Sequence, residues 1–124
     1  MRILVVFALT LASCSKPVTP MDACHKLETA GVASNCHEGK PHGLAADANA
    51  DIEFDLPSVP GHGGAVFGFD SDEHYDSTVK SFDDAKVIAG PHRYGNKKKR
   101  IFVQFNDGAS MATGKTAKDV IDGL

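Results

Sequence analysis

The strictest alternation of apolar and polar side chains lies at residues 51–56. Ile52, Phe54 and Leu56 fall on one face of an extended chain, and three acids fall on the other. This period of two predicts a half-buried strand of an antiparallel sheet, with its acids facing solvent. Residues 65–69 and 99–105 also predict strands, and residues 92–94 predict a short strand that turns at Gly95-Asn96 into the last one.

Apolar residues at helical spacing predict a first helix at the start of the mature chain. Thr19 is placed to cap this helix, and Pro20 suits the first helical position because its missing N–H needs no partner there. Gly31 predicts the end of the helix in the left-handed conformation, with Val32 folding back on Leu27.

Two further helices follow from the same spacing. Asp70 is expected to cap the second, with Glu73 completing a capping box. This helix is predicted to last to about Ala89, because Gly90-Pro91 cannot continue it. The third helix is predicted at residues 117–124, where apolar side chains recur after three, four and seven positions.

These elements predict one α+β domain over residues 19–124, with the order α, β, β, α, β, β, α. We expect a small, mostly antiparallel sheet of three or four strands, with the second and third helices packed on its one apolar face. The predicted core consists of Phe54, Phe67, Phe69, Val79, Phe82, Ile101, Val103, Phe105, Val120 and Ile121.

Residues 1–13 have the layout of an export signal. Arg2 supplies a positive start, residues 3–11 form an apolar run, and two small residues precede Cys14. A bilayer span needs about 20 apolar residues, so this run is too short to remain in the membrane as a transmembrane helix. Its removal leaves a chain long enough for one modest hydrophobic core.

The order Leu11-Ala12-Ser13-Cys14 resembles the lipobox of bacterial lipoprotein precursors. The resemblance implies cleavage before Cys14, acyl chains on Cys14 and a tether over residues 14–18. Ser15 is similar to the residue that sorts such proteins to the outer membrane. We therefore expect a protein of the bacterial cell envelope, anchored to the outer membrane through lipid on Cys14 and facing the periplasm. A secreted protein with a free thiol is the alternative.

The other two cysteines, Cys24 and Cys36, form an even pair in an oxidising compartment, which favours a disulfide. A loop of this size contributes about 3 kcal/mol to stability in the chain-entropy model. Two buried free thiols or a metal site are the alternatives.

Charge divides the chain into an acidic and a basic stretch, although the net charge is only −3. Residues 47–84 hold ten acids and one lysine, whereas residues 86–100 hold six bases and no acid. The two stretches either face each other or are solvated separately. The basic one offers a candidate site for a phosphate or carboxylate of an envelope component, formed by His92, Arg93, Tyr94, Lys97, Lys98, Lys99 and Arg100.

The alternative for these bases is protection of a sheet edge, since lysines at a strand start discourage pairing with another chain. Nucleic acid is a poor partner because the protein carries net negative charge and is expected outside the cytoplasm. Nucleotide binding is not predicted either. The A-S-M-A-T-G-K-T segment has Ala109 where a phosphate-binding loop needs its first glycine.

Histidine is enriched, with six residues in 124. A disulfide between Cys24 and Cys36 would bring His25 and His37 into one neighbourhood, and His42 could join them in a Zn²⁺ or Cu²⁺ site. The spacing from His37 to His42 does not fit a zinc protease, whose two histidines lie four apart on a helix.

No complete catalytic constellation is present in the sequence, and no cofactor is predicted. The first expectation for function is a non-catalytic, lipid-anchored module that binds an anionic envelope component or another envelope protein. A histidine-rich, metal-binding lipoprotein is the alternative. An enzyme that uses His62 or His92 as a general base is the third possibility.

Overall fold

A computed structural model of the protein describes residues 16–124. The predicted signal peptide and the predicted acylation of Cys14 lie outside the described residues and stay predictions. None of the helices among the described residues is long and apolar enough to cross a membrane.

The centre of the fold is a five-stranded antiparallel sheet, one strand more than the upper expectation. Its strands are β1 Ser34–Glu38, β2 Ala50–Asp55, β3 Gly63–Gly68, β4 Arg93–Asn96 and β5 Ile101–Phe105. They lie side by side in the order β1-β2-β3-β5-β4. The sequence prediction missed β1, whose largely polar residues include no fully buried position.

Four α-helices surround the sheet, namely α1 Pro20–Thr29, α2 Asp72–Asp84, α3 Lys86–Ala89 and α4 Met111–Asp122. Short 3₁₀ helices occupy Gly43–Ala45 and Lys97–Lys99. The single helix expected up to Ala89 is therefore two, because Ala85 leaves the helical conformation between them. The turn expected at Gly95-Asn96 lies in Lys97–Lys99, since β4 continues through Asn96.

The helices cover both faces of the sheet, so the expectation of one covered face was wrong. On one face, α1 and α4 bury Leu27 and Ile121 against the core that contains Phe54 and Phe105. On the other face, α2 packs on a separate aromatic core, which includes Phe67, Phe69, Tyr75, Phe82 and Phe102. The physical reason lies in β3 and β5, where neighbouring residues such as Val66 and Phe67 are both apolar and point to opposite faces.

The ends of α1 agree with the residues predicted to cap it, whereas the start of α2 does not. Thr19 caps α1 in a capping box with Asp22, and Gly31 ends the helix at a φ of 81°. Val32 N then donates to the Leu27 carbonyl at 2.9 Å, as predicted. The cap of α2 is Ser71 rather than Asp70, because the Ser71 hydroxyl accepts the hydrogen bond from the His74 backbone N–H.

The predicted disulfide between Cys24 and Cys36 is present and ties α1 to β1. Both residues lie in or against the core shared by α1 and α4. The bond therefore joins the first helix to an edge strand of the sheet.

A buried histidine holds α4 against β4 and β5. His92 stacks on Phe105 with ring centroids 4.7 Å apart, and its Nε2 donates to the Ala109 carbonyl at 2.7 Å. Its Nδ1 then accepts from the Tyr94 hydroxyl at 3.0 Å. A Cβ added to Gly114 would lie 2.4 Å from the Tyr94 hydroxyl and 2.6 Å from His92 Nδ1. Only glycine lets α4 approach this pair so closely.

We therefore expect Gly114→Ala to lower the free energy of unfolding by about 1–3 kcal/mol through overpacking, although alanine favours a helix interior by about 1 kcal/mol over glycine. Denaturant unfolding measures the change. Thr116→Ala, on the exposed face of the same helix, is the matched control and should alter stability by less than about 0.5 kcal/mol. The free energy of unfolding lost in Gly114→Ala should be smaller when Tyr94→Phe is also present, because that substitution removes the clashing oxygen. A Gly114→Ala protein as stable as wild type would contradict this account.

Candidate metal centre

The segment between β1 and β2 folds over the sheet and buries an acid that the alternation pattern had assigned to solvent. Gly39 N donates to the Asp51 carbonyl at 2.8 Å, and Ala45 and Ala48 enter the aromatic core. A Cβ on Gly39 would lie 2.9 Å from Glu53 Cδ, so glycine allows this close passage. As a result Asp51 is only 2% exposed, and the prediction that all three acids of the strand face solvent was wrong.

Among residues 16–124, the Asp51 carboxylate has no hydrogen-bond partner at either oxygen. A buried polar group without a partner costs about 1–3 kcal/mol, and a charged one costs more. Burial raises the pKa of the Asp51 carboxyl, and the nearby Glu53 carboxylate raises it further. This side chain therefore destabilises the fold unless a proton or a cation neutralises it.

Three groups that bind metals meet around this carboxylate. Ligand atoms of His42, Asp51 and Glu53 all lie within 4.8 Å of one another. The distance from His42 Nδ1 to Asp51 Oδ2 is 3.6 Å, and the distance from His37 Nε2 to Glu53 Oε2 is 3.4 Å. The ligands of a tetrahedral zinc ion at about 2.0–2.2 Å stand roughly 3.3–3.6 Å apart. The pair of His37 Nε2 and Glu53 Oε2 already has this spacing. The distance to Asp51 is measured from His42 Nδ1, which also contacts the Lys40 carbonyl at 2.7 Å, so His42 would have to turn its ring to bind an ion through Nε2.

Backbone carbonyl groups orient both histidine rings. His37 Nδ1 donates to the Asn35 carbonyl and His42 Nδ1 donates to the Lys40 carbonyl, each at 2.7 Å. These bonds raise the pKa of each imidazole. In the neutral ring they place the proton on Nδ1 and leave Nε2 free to bind a metal, which is the usual arrangement around metal-bound histidine.

The cluster stands at one side of an open groove of about 620 Å³. The register aligns Glu53 with Ala65 and Ala65 with Gln104, which form part of its floor. Phe67, Phe82, Ile88 and Ala89 line the remainder. An ion at the cluster would thus have protein on one side and solvent on the other.

The structure distributes the three histidines of the predicted metal site unevenly. His37 and His42 both line the groove. His25 lies on α1 and pairs with Glu28 at 3.0 Å. Sequence reasoning missed Asp51 and Glu53 as partners, because strict alternation is also the pattern of a solvent face. Cys24 and Cys36 are joined to each other and offer no thiolate to a metal.

Three of the seven residues proposed as an anion site have acidic partners on α2. Arg93 pairs with Asp83, Lys97 with Asp76 at 2.9 Å, and Arg100 with Asp72 at 3.0 Å. His92 and Tyr94 bind each other beneath α4. The acidic and basic stretches of the sequence therefore face each other. Among the described residues, Lys98 and Lys99 have no ion-pair partner.

No protein-family model, curated protein sequence or solved structure matches the chain. Function must therefore be argued from the residues of this protein alone.

The burial of Asp51 predicts that Asp51→Asn makes the metal-free protein more stable at neutral pH, by about 1 kcal/mol or more, because the buried charge is removed. Thermal or denaturant unfolding in the presence of a chelator measures this difference. Asp55→Asn is the matched control on the same strand and is exposed, so it should change stability by less than about 0.5 kcal/mol.

The stability that Asp51→Asn gains over wild type should also depend on pH. Since the pKa of Asp51 is raised above the ordinary 3.8, its penalty is complete above the raised value and fades as pH falls toward 3.8. Wild type and Asp51→Asn should therefore converge in acid. A metal-free variant less stable than wild type at neutral pH would refute the unfavourable burial of Asp51.

Proposed function

We propose that the protein is a lipid-anchored, non-catalytic module of the bacterial envelope that binds a divalent transition-metal ion, with Zn²⁺ as the first candidate. The ligands are His42, Asp51 and Glu53, and His37 completes the set. The observation that carries this proposal is the Asp51 carboxylate, which is buried beside two other ligand groups and accepts no hydrogen bond from the part of the chain that the structure describes.

The mixture of donor atoms favours this class of ion. Imidazole nitrogen suits Zn²⁺, Cu²⁺ and Ni²⁺, whereas Ca²⁺ and Mg²⁺ prefer all-oxygen sites. Four nitrogen and oxygen ligands match the number that zinc takes in tetrahedral sites. Cu²⁺ binds nitrogen and oxygen sites more tightly than Zn²⁺ in general, so supply of the ion decides between the two.

Electrostatics supports a cation at this position. Asp51 and Glu53 lie on the same face of β2, two residues apart, and the Glu53 charge disfavours ionisation of Asp51. A divalent ion would offset this repulsion and satisfy the unpaired oxygens together. The unfolded chain holds no such preformed site, so metal binding would stabilise the folded state.

The location follows from the N-terminal sequence. The order Leu11-Ala12-Ser13-Cys14 supports cleavage before Cys14 and acylation of its thiol, which would keep the domain at the periplasmic side of the outer membrane. A protein held there would bind metal ions close to the membrane surface.

Equilibrium dialysis against Zn²⁺ should find one ion per chain. Zinc at about 100 times its dissociation constant should raise the free energy of unfolding by about 2.7 kcal/mol. His42→Ala, Asp51→Asn and Glu53→Gln should each weaken binding by at least about tenfold, because each removes one ligand. His25→Ala is the matched control and should bind as wild type, since His25 pairs with Glu28 on α1. Unaltered binding by Asp51→Asn would reject the site.

A further inference from the structure

The N-terminal tether leaves the domain beside the most basic turn of the chain. Pro17 and Val18 line a depression of about 660 Å³ together with Phe69 and the Lys97–Arg100 turn. Val18 also borders a second, smaller depression that includes Lys99 and Arg100. The start of the described chain and the basic turn therefore share one end of the molecule.

This turn is held in place by the protein itself. Lys99 N donates to the Asn96 side chain at 3.2 Å, which caps the short 3₁₀ helix. Arg100 adopts the left-handed conformation, with φ of 53°, which is uncommon for residues other than glycine. Its guanidinium binds Asp72 and the Asp70 carbonyl at 3.0 and 2.8 Å, and so fixes the turn to α2.

Lys98 and Lys99 remain exposed on this fixed turn and have no ion-pair partner among residues 16–124. Lys97 and Arg100, in contrast, share their charge with Asp76 and Asp72. Two exposed ammonium groups at an open depression would hold a single soluble anion weakly. A surface that carries many anions and is kept close by a tether instead presents those anions to the lysines at a high effective concentration.

The tether is short enough to bring that surface to the turn. Cys14 precedes Pro17 by three residues, a distance that a fully extended chain spans in about 10–11 Å. The attraction of lysines to an anionic membrane extends over about one Debye length, roughly 8–10 Å. An acyl group on Cys14 would thus place Lys98 and Lys99 within range of the headgroups.

We propose that Lys98 and Lys99 dock the domain onto the anionic phospholipid headgroups of the membrane that holds the lipid on Cys14. This inference rests on the proposed acylation but not on metal binding. Docking orients the domain so that the end that carries the tether and the Lys97–Arg100 turn faces the membrane. Arg100 is a positioning residue, because it holds the turn that carries both lysines.

The test uses the acylated full-length mature protein, whose acyl group is verified by mass spectrometry, in vesicles of phosphatidylcholine with or without phosphatidylglycerol. Lysines are acetylated with a water-soluble reagent and quantified by peptide mass spectrometry. Labelling of Lys98 and Lys99 should fall about fivefold in the anionic vesicles, as expected for lysines at such a surface. Lys115 and Lys118, which pair with Asp119 and Asp122 on α4, should be labelled equally in both. High salt should abolish the difference.

Equal labelling of Lys98 and Lys99 in both vesicles would overturn the docking while leaving the anchor and the metal site intact. A mature protein without an acyl group would overturn both anchor and docking. If inorganic phosphate protects the two lysines in neutral vesicles as strongly as phosphatidylglycerol does, that result would overturn docking on the membrane and identify a soluble anion as the ligand. Two double variants complete the test. The first is Lys98→Gln/Lys99→Gln, and the second, Lys115→Gln/Lys118→Gln, is its matched control. Salt-sensitive protection of Lys97, which lies on the same turn, should be lost only in the first.

Discussion

The rest of the candidate site depends on a carboxylate that the fold prevents from meeting water. Asp51 lies within β2, where it is paired with Phe67 on β3, and its carbonyl accepts from Gly39 in the covering segment. These backbone bonds fix the strand, so the side chain cannot turn outward without breaking the ladder. The neighbouring His42 and Glu53 are then held beside an acid that has no hydrogen-bond partner within the described chain. A protein with no use for such an acid would be more stable with a neutral residue there.

The division of the sheet into two covered faces creates the space for this site. Helices α1 and α4 cover one face, and α2 packs over the aromatic core on the other. Over Glu53 and Ala65 the second face is left as a groove. Three acids of α2 are paired instead with bases of β4 and the following turn. These opposite charges help to position α2, whereas Asp51, Glu53, Lys98 and Lys99 take no part in those pairs.

Local signals in the sequence predicted much of this fold. The cap at Thr19, the stop at Gly31 and the apolar face of β2 depend on neighbouring residues, and the structure has each of them. The features that the sequence did not predict depend on contacts between residues far apart in the chain. The polar strand β1 forms because β2 pairs with it, and Asp51 is buried because the segment that begins at Gly39 crosses over it. Periodicity places Asp51 and Glu53 on one face but cannot say what covers that face.

X-ray absorption at the zinc edge reports the atoms around the ion in the zinc-loaded protein, and so shows directly which groups hold it. We expect nitrogen and oxygen neighbours at about 2.0–2.2 Å, with an imidazole signal that weakens in His42→Ala and persists in His25→Ala. A sulfur shell at about 2.3 Å, or water as the only ligand, would contradict a zinc site built from His42, Asp51 and Glu53.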